Sequence, residues 1–176
     1  MLSRTEDSSQ YLEYMRMAVE IEKQSVAEDE RSHPKVAAVL VKDNQILATA
    51  YRGEIGEGDH AEYTLFEKKL AAVDLRGTTL FTTLEPCVSR NMRKPCSDWV
   101  IEKGISYVFI GMLDPNPRIY NQGATKLRAN GVQVRFFPPA LRNEIEADNL
   151  AFIEQFRANP APQGKADFDY TNVSSV

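Results

Sequence analysis

Three short apolar runs separated by helical segments constrain the fold of this chain more than any other feature. The runs are TTLFTTL (78–84), SYVFIGM (106–112) and VQVRFF (132–137). They are rich in β-branched and aromatic residues and too short for typical helices, so each predicts a buried strand. The segments 96–103 and 122–130 have helical composition, and each is followed by a glycine that can end a helix. This alternation predicts right-handed crossovers and a largely parallel sheet between helix layers.

The earlier part of the chain predicts a helix and a β-hairpin. An amphipathic helix is predicted over 10–28, with four apolar residues on one face: Leu12, Met15, Val19 and Val26. VAAVLV (36–41) and ILATAY (46–51), joined by a polar turn, predict two strands. Further helices are predicted over 60–72 and 140–157. The predicted class is therefore α/β, a three-layer αβα fold whose mixed five-stranded sheet has helices on both faces.

Length and composition favour one compact domain. A chain of 176 residues with 43% hydrophobic residues can bury a sizeable core, and we predict a single domain over 1–157. Residues 158–176 are rich in Pro, Gly, Ser, Asp and Asn, which predicts a polar tail that is mobile or docked.

Charge and hydropathy exclude several function classes. The formal charge of −4 gives no overall electrostatic signature for nucleic acid, although a local basic patch remains compatible with it. The N-terminus lacks an apolar signal core, and no stretch of about 18 apolar residues predicts a membrane span. We therefore expect a cytoplasmic protein without a membrane partner.

Four residues in the strings HAE and EPC-x8-C predict a catalytic zinc site. His60, Cys87 and Cys96 supply one imidazole and two thiolates, which fill three tetrahedral positions and leave the fourth for water. Glu62 lies two residues past the histidine, where its carboxylate can handle protons. The chain has two cysteines and two histidines, and three of these four residues fall on the pattern. An open site of this kind indicates hydrolysis.

Two simpler interpretations compete with the catalytic one. Two cysteines in an intracellular chain are commonly inert core residues, and a lone HAE occurs by chance in many helices. A purely structural zinc site would also use the three ligands, but it leaves Glu62 without a role. The coincidence of both strings favours the catalytic interpretation over both alternatives.

These residues resemble the zinc-dependent cytidine deaminase superfamily and, within it, the pyrimidine deaminase of riboflavin biosynthesis. The similarity spans about residues 10–155, the deaminase part of proteins that often carry a fused reductase domain. Three stretches carry it: HAE (60–62), TLEPCVSRNMRKPC (83–96) and IGMLDPNPRIYNQGATKLRANGVQV (110–134). Many members of the superfamily have two residues between their cysteines, whereas this chain has eight. The longer gap and the DPNP loop resemble the riboflavin branch.

The resemblance implies a mechanism. Zinc held by His60, Cys87 and Cys96 would activate water, and Glu62 would act as general acid and base in turn. The reaction would be hydrolysis of an exocyclic amine on a small pyrimidine, with release of ammonia.

The chain departs from the riboflavin branch where that branch contacts its substrate. Members have Asn-Pro before the first strand, whereas this chain has His33 and then Pro34. They have Ser-His after the first cysteine, whereas this chain has Val88 and Ser89. The resemblance therefore predicts the reaction more firmly than the substrate.

Five residues are candidate substrate contacts: Asn116 in the DPNP loop, His33, and the basic residues Arg90, Arg93 and Lys94 between the two cysteines. For His33 and the basic residues, a solvated loop or a cap before a strand is an equally good interpretation. Trp99 is expected to pack in the core.

The leading functional prediction is deamination of a pyrimidine nucleotide or of a pyrimidinone close to the riboflavin precursor. A second prediction is deamination of a base in nucleic acid gripped by the basic residues, which the acidic composition disfavours. The third is an inactive interaction module with the deaminase fold, which Glu62 and the complete ligand set disfavour. By analogy with the superfamily we expect a homodimer or higher homo-oligomer.

Overall fold

A mixed sheet of five strands organises the protein. The computed structural model describes residues 4–90 and 92–157, so the predicted tail at 158–176 lies outside the described residues. The strands are β1 (Ala37–Lys42), β2 (Gln45–Tyr51), β3 (Thr79–Leu84), β4 (Tyr107–Met112) and β5 (Gln133–Phe136). The helices are α1 (Arg4–Glu22), α2 (Ala61–Tyr63, continued by a π-helical turn Thr64–Lys69), α3 (Cys96–Glu102), α4 (Gln122–Ala129), α5 (Pro139–Asp148) and α6 (Leu150–Arg157).

The pairing of the strands confirms the predicted α/β class. The strand order is β2-β1-β3-β4-β5. β1 runs antiparallel to both β2 and β3, whereas β3, β4 and β5 run parallel to one another. The parallel strands are joined by α3 and α4, as expected for strand–helix–strand crossovers.

Helices cover both faces of the sheet, which gives three layers. α1 and α5 pack on one face, where the rings of Phe81 and Phe109 stack 4.9 Å apart and Tyr11 meets both edge-on. Gly111 on this face admits α5, because a Cβ atom there would lie 2.4 Å from the Ile145 side chain. α2, α3 and α4 form the other layer, and α2 contacts β1, β2 and α3.

The direction of β1 brings the segments before β1 and after β2 to the edge of the sheet where β3 ends. Because Ala38 pairs with Thr82 in antiparallel register, the residues before β1 lie next to the carboxyl end of β3. The residues after β2 reach the same edge, since the backbone N–H of Arg52 donates to the Val36 carbonyl at 2.9 Å. This edge is where ligands bind in sheets with parallel strands.

The first helix ends six residues earlier than predicted. It ends at Glu22 rather than extending to residue 28, and Val26 is 55% exposed instead of lying on an apolar helix face. The chain leaves the helix because its polar groups bond to the sheet. The Ser25 hydroxyl accepts from the Val36 N–H at 3.0 Å, and the Val26 N–H donates to the Arg52 carbonyl at 3.0 Å.

The closing segment is two helices rather than the predicted single helix over 140–157. The break lies at Asn149, whose buried side chain bridges to the segment before β1. Its Oδ1 accepts from the Lys35 N–H at 2.7 Å, and its Nδ2 donates to the Lys35 carbonyl at 3.3 Å. These bonds link α5 to the start of β1.

The predicted helix over 60–72 is shorter and irregular. It begins after His60, which caps it with an extended backbone, and its second part is π-helical up to Lys69. Among the described residues, no helix is both long enough and apolar enough to cross a membrane.

Glu22 is a buried carboxyl at the end of α1. Its side chain has no solvent exposure, and a hydrogen bond with the Thr83 side chain opposes the effect of burial on its pKa. Burial raises the pKa of Glu22 from its ordinary value of 4.5 to about 8, and the nearby Asp148 carboxylate adds to the rise. The folded protein therefore holds this carboxyl in its neutral form at neutral pH.

We expect Glu22→Gln to remove a pH-dependent loss of stability. The Glu22 carboxyl ionises near pH 4.5 in the unfolded chain and near 8 in the folded chain, so its contribution to stability is fully present below pH 4.5 and is lost between these values. The maximum slope from one such group is about 1.4 kcal/mol per pH unit. Thermal unfolding from pH 5 to 8.5 should show that the stability of the variant relative to wild type increases as pH rises. Glu20→Gln, at an exposed position, is the control. A stability difference between Glu22→Gln and wild type that stays constant with pH would contradict the raised pKa of Glu22.

Candidate metal and active site

Three predicted metal ligands meet at the ligand-binding edge of the sheet. His60 precedes α2, Cys87 follows β3, and Cys96 is the first residue of α3. The His60 Nδ1 atom lies 3.4 Å from the Cys96 Sγ and 3.8 Å from the Cys87 Sγ, and the three ligating atoms lie within 4.8 Å of one another. One imidazole nitrogen and two sulfurs at this spacing fit a tetrahedral zinc ion.

Backbone groups hold the two cysteines in this arrangement. Pro95 precedes α3 in an extended conformation, so the first N–H groups of the helix are free to bond outside it. The Cys96 N–H donates to the Cys87 Sγ at 3.3 Å, and the Ser97 N–H donates to the Cys87 carbonyl at 3.1 Å. The N-terminus of α3 is thereby fastened to the loop after β3.

The electrostatics of the sulfur pair favour a cation. The hydrogen bond from the Cys96 thiol, with further help from His60, lowers the pKa of the Cys87 thiol to about 4. The same interaction and burial raise the pKa of the Cys96 thiol. A lowered pKa at Cys87 favours the thiolate form that binds zinc, and a divalent ion would favour deprotonation of Cys96 as well.

Glu62 lies beside the ligands inside the protein. Its side chain is 3% exposed, and the Thr82 hydroxyl from β3 lies 3.4 Å from its Oε1. Burial raises the pKa of the Glu62 carboxyl, with the Cys87 sulfur adding to the rise and His60 opposing it. A carboxyl whose pKa is raised by burial binds a proton more tightly than an exposed one, which suits a group that accepts and returns protons.

A cavity of about 180 Å³ opens over this cluster. Its lining residues come from the segment before β1, from the loop after β2 with the start of α2, and from the ends of β3 and β4 with the loops after them: Pro34, Val36, Arg52, His60, Glu62, Leu84, Glu85, Cys87 and Asp114. Ligand sites for drug-sized molecules are commonly about 300–1,000 Å³, so this cavity suits a single ring rather than a whole nucleotide.

Sequence reasoning missed three charged residues of this lining. Glu85 belongs to the EPC-x8-C string and Asp114 to the DPNP loop. In these motifs only Cys87, Cys96 and Asn116 were predicted to contact a metal or substrate, together with the basic residues between the cysteines. Arg52 carries no motif signal, because its position depends on the pairing of β1 with β2.

Glu85 organises the loop after β4. Its carboxylate is buried and accepts three backbone N–H groups: Asp114 at 3.1 Å, Asn121 at 3.0 Å and Ala124 at 2.9 Å. α4 approaches so closely that a Cβ atom at Gly123 would lie 2.2 Å from the Pro86 carbonyl oxygen. The segment from Asp114 to α4 is therefore held against the strand end that bears Cys87.

The DPNP loop places Asp114, rather than Asn116, in the cavity lining. Burial raises the pKa of Asp114 to about 6, and the neighbouring Glu85 and Cys87 charges add to the rise. The Asn116 N–H donates to the Asp114 Oδ1 at 2.9 Å, and the Asn116 Oδ1 accepts from the Arg118 N–H at 3.1 Å. A substrate contact by Asn116 stays a prediction.

His33 lies outside the cavity lining but next to it, since Pro34 is part of the wall. Its Nε2 is 2.7 Å from the Asp29 Oδ1, and its Nδ1 is 3.2 Å from the Glu28 Oε1. The proposed substrate contact by His33 also stays a prediction.

The basic residues between the cysteines point to partners within the chain. Arg90 donates to the Gly58 carbonyl at 2.8 Å, Arg93 pairs with the buried Asp59 at 2.6 Å, and Lys94 pairs with Glu102. The first two guanidinium groups also lie over the Tyr63 ring, 5.4 and 5.6 Å from its centroid. Substrate binding by these three residues stays a prediction.

Trp99 is half-buried and packs against the core, as predicted.

Comparison with known proteins agrees with this geometry. Residues 8–112 match the family described as the cytidine and deoxycytidylate deaminase zinc-binding region. The chain belongs to this deaminase family. The matched region contains His60, Glu62, Cys87 and Cys96, so the prediction of zinc as the cofactor is confirmed.

Relatives of this deaminase place it on the riboflavin branch, as predicted. It is 41% identical over 142 residues to the riboflavin biosynthesis protein RibD of Actinobacillus pleuropneumoniae, covering 81% of this chain and 36% of the relative. It is 32% identical over 125 residues to the diaminohydroxyphosphoribosylamino-pyrimidine deaminase of Buchnera aphidicola, covering 71% of this chain and 82% of the relative. The chain thus spans about a third of the RibD relative.

A solved structure shares the fold. The bifunctional diaminohydroxyphosphoribosylaminopyrimidine deaminase and 5-amino-6-(5-phosphoribosylamino)uracil reductase of Thermotoga maritima is 35% identical, with a TM-score of 0.72. The alignment covers 84% of this chain and 41% of that protein.

We expect Cys96→Ser to remove zinc and to destabilise the edge of the sheet around it. A hydroxyl cannot replace the buried thiolate as a zinc ligand, so metal content should fall well below one ion per chain. Elemental analysis of the purified protein measures this, and thermal unfolding measures the loss of stability. The matched control is Ser97→Ala, a neighbouring buried position outside the ligand set. A metal content of one per chain in Cys96→Ser would contradict the ligand assignment.

We expect Glu85→Ala to loosen the loop after β4 while zinc stays bound. The change leaves three backbone N–H groups without their acceptor, and each buried unsatisfied group costs about 1–3 kcal/mol. Hydrogen exchange at Asp114, Asn121 and Ala124 should accelerate, and the melting temperature should fall. The exposed Glu57→Ala is the control. Unchanged exchange at these three amides would rule out the anchoring role.

Proposed function

We propose that this protein is a zinc-dependent hydrolase that removes an exocyclic amine from a pyrimidine nucleotide or from a pyrimidinone like the riboflavin precursor, and releases ammonia. The observation that carries the proposal is that Glu62 and two of the ligands, His60 and Cys87, line the same small cavity. The proposal covers the deaminase part that the chain shares with its relatives, not a reductase activity.

The residues around the cavity divide the chemistry between them. His60, Cys87 and Cys96 would hold a zinc ion, which would supply the Lewis acidity that activates water for attack on the carbon bearing the amine. Glu62 takes the proton from that water, delivers it to the ring nitrogen, and then assists departure of ammonia. Its burial suits this role, because burial raises the pKa of the carboxyl and so strengthens it as the base that takes the proton.

The shape of the cavity supports a single ring as the reacting group. Val36 and Leu84 supply apolar walls, while the charged lining residues can fix the orientation of polar ring edges. The remaining parts of a nucleotide would extend out of the cavity towards the loops at its mouth.

Two classes of substrate are the first to be tested, the cytidine type and the diaminohydroxypyrimidine type. The relative from Buchnera aphidicola is a diaminohydroxyphosphoribosylamino-pyrimidine deaminase, and the family is that of cytidine and deoxycytidylate deaminases. His33 replaces the asparagine expected in the riboflavin branch, so we include both ring types. Homo-oligomeric assembly and a cytoplasmic location stay predictions, and mass measurement in solution tests the first.

We expect Glu62→Gln to lose ammonia release and keep zinc. Removing a general acid and base lowers the rate by about 10²–10⁴-fold, while the ligands are untouched. Purified zinc-loaded protein is assayed with cytidine, cytidine and deoxycytidine monophosphates, and diaminohydroxyphosphoribosylaminopyrimidine. Glu67→Gln, a half-buried glutamate on the following π-helical turn, is the matched control and should retain wild-type activity.

Three outcomes separate the competing functions. No ammonia from any member of this set with the wild-type protein would contradict the proposal. Turnover by Glu62→Gln at the wild-type rate would contradict the role of the carboxyl. Base changes found by sequencing treated single-stranded DNA or RNA, without small-molecule turnover, would favour a nucleic-acid substrate.

A further inference from the structure

Arg52 is a buried cation in the wall of the cavity. Its side chain follows β2, lines the cavity, and is 6% exposed. Its Nε atom is buried and has no hydrogen-bond partner among the described residues. A buried N–H group without an acceptor is costly, so a partner supplied by a ligand would relieve that cost.

The other end of the guanidinium group is already held in place. Its Nη2 pairs with the Glu28 Oε1 at 2.5 Å and lies 3.4 Å from the His33 Nδ1. His33 in turn is tied to Asp29 at 2.7 Å, and Arg31 pairs with the same aspartate. Glu28 and Asp29 therefore balance the positive charge in this group, and the orientation of Arg52 is fixed before any ligand binds.

This charge balance restricts the chemistry of the missing partner. Because Glu28 already neutralises the guanidinium, a phosphate dianion would bring excess negative charge to the wall. The other charged lining residues strengthen the argument, since Glu62, Glu85 and Asp114 are all acidic. A neutral oxygen acceptor satisfies the free N–H without adding charge.

We propose that Arg52 determines substrate specificity by donating a hydrogen bond to the ring carbonyl oxygen of the pyrimidine, while any phosphate lies outside this wall. The inference rests on the proposed deaminase function, because it assumes that the ring occupies the cavity. It assigns to Arg52 the recognition of the base, a role that the sequence motifs do not indicate.

The informative variant is Arg52→Lys. Lysine keeps a positive charge that can pair with Glu28, so the fold should be retained, but it lacks the second N–H group of the guanidinium fork. Arg76→Lys is the matched control, since Arg76 forms a similar ion pair with Asp74 on the exposed surface. Thermal unfolding of each variant checks that the fold persists.

The probes are deoxycytidine monophosphate and diaminohydroxyphosphoribosylaminopyrimidine, each paired with an analogue whose ring carbonyl oxygen is replaced by sulfur, a weak acceptor. Binding is measured by calorimetry on zinc-loaded protein carrying Glu62→Gln, so that the probes are not consumed. With Arg52 present, at least one oxygen probe should bind about tenfold or more tightly than its sulfur analogue, since a hydrogen bond to a charged group contributes about 1.5–3 kcal/mol.

In Arg52→Lys this preference should fall to about twofold or less, whereas Arg76→Lys should keep it. A preference that survives Arg52→Lys, or an equal loss of affinity for both members of a pair, would overturn the inference. Probes that bind with the expected preference but give no ammonia with wild-type protein would contradict the proposed function and support the inference. Failure to bind either oxygen probe would contradict both.

Discussion

The antiparallel direction of β1 beside the parallel strands is the constraint on which the site depends. It places the segment before β1 and the segment after β2 at the same edge as the carboxyl ends of β3 and β4. A β1–β2 hairpin in the opposite direction, with β1 parallel to β3, would leave Pro34 and Arg52 at the opposite edge from Cys87. The direction of this hairpin therefore decides whether Arg52, His60 and Glu62, which follow β2, can share one cavity with Cys87, which follows β3.

Once these ends meet, their charges must be balanced. The edge collects the Cys87 thiolate and the carboxyl groups of Glu62, Glu85 and Asp114. Three backbone N–H groups stabilise the Glu85 carboxylate, and burial raises the pKa of Glu62 and raises that of Asp114 to about 6. A zinc ion held by His60, Cys87 and Cys96 would compensate the Cys87 sulfur. Backbone hydrogen bonds to Glu85 and a cation at the cluster of His60, Cys87 and Cys96 would together make this acidic edge compatible with burial.

The sequence predicted those features that depend on neighbouring residues. The strands could be predicted because each is a short continuous apolar run. The candidate metal ligands could be predicted because they stand in two short strings, HAE and EPC-x8-C. The early end of α1 and the break at Asn149 were not predicted, because Ser25 and Asn149 act through hydrogen bonds to Val36 and Lys35, 11 and 114 residues away. Glu85 and Arg52 were missed for the same reason, since their partners are defined only by the folded chain.

The basic loop between the cysteines contains arginines that bind groups within the protein and are also candidates to bind a substrate phosphate. Arg90 and Arg93 bind Gly58 and Asp59, the residues immediately before His60. The loop that joins two ligands is thus fastened to the approach of the third, so these cations stabilise the relative positions of all three. A substrate phosphate at this loop would meet an Arg93 side chain that is already paired with the buried Asp59 carboxylate. Because about half of the Arg93 side chain is exposed, a phosphate has room to join this ion pair without replacing Asp59.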